Sequence, residues 1–231
     1  MRGPDRKWLE EGGVDVWWAS PTGAAVAAAE PWLSDAERTR AARFAVPEAH
    51  ARFVVGRGLA RRTLARLTGL APGAVPLAEL PSGKPVVAVE GPRFSLAHSG
   101  ERVVAAFAWR RDVGVDVEQL RPRDEVRLAA RHFRAAEHAA IAAVGGEARA
   151  RLFTRCWTRK EALLKAHGGY PLLVGLARLE QPFSLDREWE PYAHEGRQWA
   201  VGDVPLPVSD HLAAVAVEDT ALRLRVLEWQ P

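Results

Sequence analysis

The segment Gly13-Val14-Asp15-Val16 returns about a hundred residues later as Gly114-Val115-Asp116-Val117. At nearly the same offset Ala36-Glu37 meets Ala136-Glu137, Arg52-Phe53 falls opposite Leu152-Phe153, and Leu64-Ala65 opposite Leu164-Lys165. Both halves also run in one order: strand, capped helix, long helix, closing strands. A chain built this way is constrained to use one folding unit twice. The reading is an α+β protein of two similar α+β lobes packed side by side, residues 1–111 and 112–231, with the junction near Trp109 to Val113.

Local signals place the elements. Val14 to Trp18 alternates as a strand. Ser34 and Glu37 make a capping-box pattern that starts a helix running to about Phe44. Pro47 opens a longer helix, Glu48 to about Thr68, which Gly69 ends. Gly23 to Ala29 is alanine-rich, a loop or short helix. Ala71 to Ser82 is a Pro-rich connection and Gly83-Lys84-Pro85 a turn. Strands are predicted over Val86–Val89, Arg93–Ala97, Val103–Trp109 and Val113–Glu118, with His98-Ser99-Gly100 turning between the second and third. Helices follow over Arg123–Arg134, Ala135–Val144 and Glu147–His167, broken by Gly145-Gly146. Leu172–Leu179, His211–Val217 and Leu222–Trp229 read as closing strands. Residues 1–12 read as loosely attached, and 181–209 carry no clear pattern.

With 48% hydrophobic and 26% charged residues, a chain of 231 residues can bury a sizeable core. Its longest apolar runs, such as Val103 to Trp109, are too short to cross a bilayer. The charged start, Met1 to Lys7, leads into no apolar stretch, and Cys156 is the single cysteine. A cytoplasmic protein without an internal disulfide or a membrane partner is expected. The basic residues cluster: Arg38, Arg40, Arg43, Arg52, Arg57, Arg61, Arg62 and Arg66 share one region with Asp35, Glu37 and Glu48. Arginine grips phosphate and carboxylate in planar bidentate fashion, so such a face suits nucleic acid, a phosphorylated small molecule or an acidic protein; it also suits plain solvation. A net charge of only +3, and Trp and Arg spacing that matches no nucleic-acid motif, speak against nucleic acid.

Chemistry concentrates in two places. On the strand at 113–118, Val113, Val115 and Val117 share one face and Asp116 and Glu118 the other, the carboxylates separated by roughly 6–7 Å of strand rise. So apolar a strand reads as central, where carboxylates are costly unless paired. The helix through Phe153 to Ala166 lacks Gly and Pro and sets Lys160, Glu161 and Lys165 on one flank, Glu161 and Lys165 four apart in the favourable order. By itself that is an ordinary amphipathic helix with a surface ion pair. With Asp116 and Glu118 it becomes a third carboxylate of an all-oxygen set suited to Mg²⁺, which keeps waters and takes up substrate phosphate oxygens. Lys160, Lys165 and Lys84 then point to a polyanionic substrate. The seven His match no zinc spacing, and no Walker loop, dinucleotide fingerprint or Gly-x-Ser-x-Gly elbow is present.

Gly114-Val-Asp116-Val-Glu118, followed by Trp157-Thr-Arg-Lys160-Glu161-Ala-Leu-Leu-Lys165, resembles the paired signature of 4′-phosphopantetheinyl transferases, in their larger, pseudo-dimeric Sfp type. Gly83-Lys84-Pro85 and Phe94-Ser-Leu-Ala97-His98-Ser99 are similar to two upstream motifs of that family, all four in order over about residues 83–166. The region Arg52-Phe-Val-Val-Gly56-Arg57 resembles its first lobe more loosely. The resemblance implies a pseudo-two-fold fold with the active site between the lobes. It implies transfer of the phosphopantetheine arm of coenzyme A to a serine of an apo acyl, peptidyl or aryl carrier protein, with release of adenosine 3′,5′-bisphosphate. Asp116, Glu118 and Glu161 would hold Mg²⁺, or Mn²⁺ in its place. Glu161 would draw the serine proton, directly or through a water, and Lys165 would neutralise the transferring phosphate. Lys84, His98, Ser99, Arg52, Arg40, Arg57 and Lys160 would face coenzyme A, His98 at the 3′-phosphate. Because the second lobe takes the place of a partner subunit, a monomer is implied. Ser95 stands where the family commonly has Asn, Ala97 where it often has Ser, and Glu37 where relatives often carry a base. An idle coenzyme A-binding relative is the other reading, against which the intact Asp116, Glu118, Glu161 and Lys165 speak.

Overall fold

The computed structural model describes residues 4–168, 175–176, 178–179, 181–184 and 186–231. In chain order the elements are α1 (Arg6–Glu10), β1 (Val14–Ala19), α2 (Gly23–Ala29), α3 (Asp35–Ala41), α4 (Pro47–Thr68), β2 (Leu77–Glu79), β3 (Pro85–Val87), β4 (Pro92–Ser99), β5 (Arg102–Trp109) and β6 (Val113–Gln119). Then come α5 (Glu125–His132), α6 (Ala135–Ala142), α7 (Gly146–His167), β7 (Trp189–His194), β8 (Arg197–Val204), β9 (His211–Val217) and β10 (Leu224–Glu228).

The sequence repeat is a structural one. One four-stranded sheet is ordered β10-β1-β5-β4 and the other β6-β9-β8-β7. In each half the first strand pairs antiparallel with the last strand of a hairpin, Trp17 opposite Ala105 and Val115 opposite Val215. A 22-residue helix covers each sheet, α4 on the first and α7 on the second. Both helices end on a left-handed glycine, Gly69 (φ 77°) and Gly168 (φ 71°), where a side chain would be strained. The Ser34–Glu37 capping box forms at α3 as the sequence predicts.

The other faces of the two sheets meet in a shared core. Val14, Val16, Trp18, Val104 and Ala106 pack there against Val113, Val115, Val117, Val215 and Val217. Strand β6 is not central: it is an edge strand of its sheet, and β4 of the other lobe seals that edge. Ser95 Oγ accepts from the Val115 amide at 3.2 Å and Ser99 Oγ from the Gln119 amide at 3.1 Å. Hydroxyls thus satisfy donors that a neighbouring strand would otherwise take.

Several expectations are corrected. Residues 6–10 form a docked helix rather than a loose tail: Leu9 is buried, and Trp8 lies so close to Gly13 that a Cβ there would meet its indole at 2.2 Å. His98 and Ser99 lie inside β4 instead of in a turn, so strand geometry fixes their directions. The Pro-rich connection contains β2, paired with β3. Half of the strand expected at 172–179 falls outside the described residues; of the rest, Gly175 and Leu176 are helical and none is strand. The patternless 181–209 contains β7 and β8. Finally β10 leaves the second half and pairs parallel with β1, with Asp15 opposite Arg225. A division at 111/112 therefore puts β1–β5 on one side and β6–β9 on the other, while β10 returns to the first sheet.

Candidate active site

The site begins with a glycine. A Cβ on Gly114 would stand 2.0 Å from the Ala162 carbonyl oxygen and 2.3 Å from the Ala166 amide nitrogen, so β6 and α7 touch backbone to backbone. That approach brings Asp116, two residues along the same face of β6, up to Glu161 and Lys165 on α7. Lys165 Nζ donates to Asp116 Oδ1 at 2.6 Å and lies 3.7 Å from Glu161 Oε2. Glu118, one strand repeat further out, accepts from Ser99 Oγ at 3.3 Å and lies 3.5 Å from Arg123 Nη2. Arg123 and Gln119 complete this rim, and nothing in their local sequence marked either.

Electrostatics at the cluster is strained toward neutralising acid. Burial, then the Asp116 carboxylate, push the Glu161 carboxyl up to about 8, although Lys165 pulls the other way. For Lys165 burial disfavours the ammonium, but Asp116 and Glu161 outweigh it and its pKa rises. Asp116 Oδ2 is buried and has no hydrogen-bond partner. A buried, unpartnered carboxylate oxygen beside a crowded second carboxylate is the donor set a hard divalent cation fits. The three carboxylates are not gathered within 4.8 Å of one another as a group; the Lys165 ammonium stands between Asp116 and Glu161.

A cleft of 260 Å³ opens beside the cluster, lined by Lys84, Pro85, Ser95, Leu96, Lys165 and Gly168 among others. Lys84 Nζ donates to the Ala166 carbonyl at 2.7 Å, and its half-buried position lowers its pKa to about 8, against the raising influence of Asp112. The His98 ring is accessible, yet partial burial, then Arg52 and Lys165, lower its pKa. Arg52 Nη1 donates to the Gly100 carbonyl at 3.3 Å. Thus Asp116, Glu118, Glu161, Lys165, Ser99, His98, Arg52 and Lys84 surround one region between the lobes.

Three candidates lie elsewhere. Lys160 is fully buried in the second lobe, 2.9 Å from Glu137 and beside the rings of Phe133 and Phe183. Adjacent helix positions point about 100° apart, so Lys160 and Glu161 do not share a face. Arg40 and Arg57 both reach Glu79, at 3.1 and 3.2 Å, and flank Phe53 in a separate 310 Å³ cavity. Glu37 caps α3 and pairs with buried Arg61, a structural duty. Arg159 went unnoticed in the sequence. It is buried and binds Asp203, Glu190 and three backbone carbonyls, tying α7 to the approach to β7. Ala97, the position lacking the family's hydroxyl, is buried in the core between the lobes.

Comparisons with known proteins place the chain in a family. The model of the 4′-phosphopantetheinyl transferase superfamily matches residues 112–216, from the carboxylate strand through α7 to β9. The chain is 34% identical to the 4′-phosphopantetheinyl transferase HetI of Nostoc sp. strain PCC 7120 over 205 residues, 86% of this chain and 81% of that protein. It is 38% identical over 120 residues to the 4′-phosphopantetheinyl transferase AcpT of Escherichia coli K12, 51% of this chain and 58% of that one. Similarity over four fifths of HetI and a family model lying on the strand and helix that meet at Gly114 have one meaning: the chain belongs to the 4′-phosphopantetheinyl transferase superfamily and is a transferase of that family.

Proposed function

We propose that the protein moves the 4′-phosphopantetheine arm of coenzyme A onto a serine hydroxyl of an apo carrier protein and releases adenosine 3′,5′-bisphosphate. The observation that carries this is the Asp116–Lys165–Glu161 cluster, a half-buried cation between two buried carboxylates at the mouth of a basic cleft. Asp116, Glu118 and Glu161 would hold the divalent cation, Mg²⁺ with Mn²⁺ as substitute. When bound, it supplies Lewis-acid polarisation of the pyrophosphate oxygens.

The chain's own groups account for the rest. Lys84, His98 and Arg52 hold coenzyme A phosphates along the cleft, with Arg40 and Arg57 beside Phe53 meeting its nucleotide end. Glu161 accepts the proton of the attacking serine as its oxygen bonds to phosphorus. The bond from phosphorus to the bridging oxygen of the nucleotide breaks, and its electron pair leaves with the bisphosphate. Lys165 offsets the negative charge spread over the transferring group, which is the main requirement of such a displacement. Two lobes in one chain frame the whole site, so the working unit is a monomer.

Incubation with coenzyme A, Mg²⁺ and several apo carrier proteins, read by intact mass, tests this. Each accepted carrier gains the mass of one arm. Glu161→Gln abolishes the gain while circular dichroism stays native, and Asp116→Asn abolishes it or raises the Mg²⁺ requirement. Full activity in both variants, or no gain on any carrier, overturns the assignment.

A further inference from the structure

Apart from the three carboxylates, at the C-terminal end of α7, two histidines and a glutamate converge. His167 is the last residue of α7, His194 the last of β7, and Glu195 the first residue of the β7–β8 turn. His167, His194 and Glu195 each offer one ligand atom, and these lie within 4.8 Å of one another; no other three His, Cys or acidic groups do so among the described residues. His167 Nε2 and Glu195 Oε2 are 3.3 Å apart. Two ligands on one tetrahedral ion at about 2.0–2.1 Å stand roughly 3.3 Å from each other. One edge of such a site therefore already has its final length, and the third ligand needs a small ring adjustment. The imidazoles of His167 and His194 meet edge to face, 5.4 Å between centroids and 62° between planes.

The surroundings hold this arrangement. Trp199, fully buried on β8, packs 6.3 Å from the His167 ring and walls one side. Glu195 Oε1 lies 3.7 Å from Arg178, so the two oxygens of one carboxylate serve different neighbours. Glu195 takes φ 48° and Gly196 φ 76°, a hairpin turn that favours Asn or Gly at the first position. A glutamate kept in that left-handed conformation aims its carboxylate at the end of α7. His194 is buried, His167 half-buried and Glu195 exposed.

We infer that His167, His194 and Glu195 form a second metal site, selective for borderline transition ions of the Zn²⁺ class. Two imidazoles and one carboxylate suit Zn²⁺, Co²⁺ or Ni²⁺ and are poor ligands for Mg²⁺. The site is independent of the carboxylate cluster, which is all oxygen. A bound ion would clasp the end of α7, two residues beyond Lys165, to the β7–β8 hairpin.

The test uses the full chain carrying Asp116→Asn, so that binding at the first cluster does not obscure the second. After chelation, Zn²⁺ alone is titrated against a chromogenic competitor, and Co²⁺ binding is followed by its visible d–d bands. One Zn²⁺ per chain, a tetrahedral Co²⁺ spectrum and no competition from millimolar-scale Mg²⁺ are expected. Adding His167→Gln or Glu195→Gln weakens Zn²⁺ binding at least about tenfold, the lower end of what loss of even a supporting group costs a metal site. Both variants are checked for native circular dichroism; Glu195 is exposed in a turn, so its variant decides if the His167 variant misfolds. Absence of Zn²⁺ binding in Asp116→Asn, or affinity unchanged by Glu195→Gln, overturns the site.

Discussion

Lys84 shows how a single position couples the fold to the proposed chemistry. It leaves a Gly-Pro turn, crosses to α7 and donates to Ala166, and burial there lowers its pKa to about 8. The ammonium is therefore present below pH 8 in the free enzyme and fades above it, well short of the ordinary lysine value. If it grips coenzyme A, KM for coenzyme A rises several-fold between about pH 7 and pH 9. Lys84→Arg stays charged throughout and flattens that rise. Stability moves in the opposite sense. A folded-state lysine held below its unfolded pKa is penalised while protonated, so wild type gains on Lys84→Met as pH climbs from about 8 toward 10.5. A wild-type KM that stays level over this range removes Lys84 from the phosphate site. Much of the site was legible at this scale because chemistry and spacing coincide: Asp116, Glu161 and Lys165 meet, although the ammonium stands between the two carboxylates and Glu118 lies one strand repeat further out. Lys160 was not, since its neighbours in sequence suggest a shared flank while the 100° step between adjacent residues turns it toward Glu137.

Among the elements, α7 and β6 carry the argument, and their contact depends on the missing side chain at position 114. Gly114→Ala forces a methyl into the Ala162 carbonyl and the Ala166 amide, both backbone atoms with little freedom to move. Helix and strand must separate, which costs about 1–3 kcal/mol by the usual scale of overpacking. Glu161 and Lys165 then withdraw from Asp116, so kcat falls by at least about tenfold. Urea denaturation and steady-state transfer assays on the same preparation measure both; a variant with wild-type stability would show that the approach is looser than 2.0 Å implies. The long helices were readable because their caps are written locally, in Pro47, Gly69 and Gly168. Strand β7 was not, because its alternation is inverted. Glu190 and His194 point inward, where Glu190 takes Arg159, while Trp189 and Pro191 face out. A periodicity search that equates inside with apolar reads such a strand as patternless.

For the whole molecule the repeat foretold two sheets and two covering helices, but not the strand that binds them. β10 follows β9 of the second sheet and joins the first beside β1, so the C-terminal segment spans both halves. Sequence pattern marks 222–229 as a strand without saying which edge receives it. The crossing is fastened by Arg225, whose Nε and Nη2 donate to Asp15 at 2.8 and 2.7 Å. Asp15 is fully buried, and burial raises its pKa even against the arginine. Arg225→Met keeps the packing stem and strands that carboxylate, a loss of about 3–5 kcal/mol at neutral pH. Protonation relieves the orphan, so the deficit shrinks as pH falls through the carboxylate range. Because the lobes share the valine core as well as β10, unfolding of wild type and variant remains one cooperative transition, with tryptophan fluorescence and far-ultraviolet circular dichroism superimposed. A deficit independent of pH would assign the loss to the strand contact instead of the ion pair, and separated transitions would mean that the two halves fold as independent units.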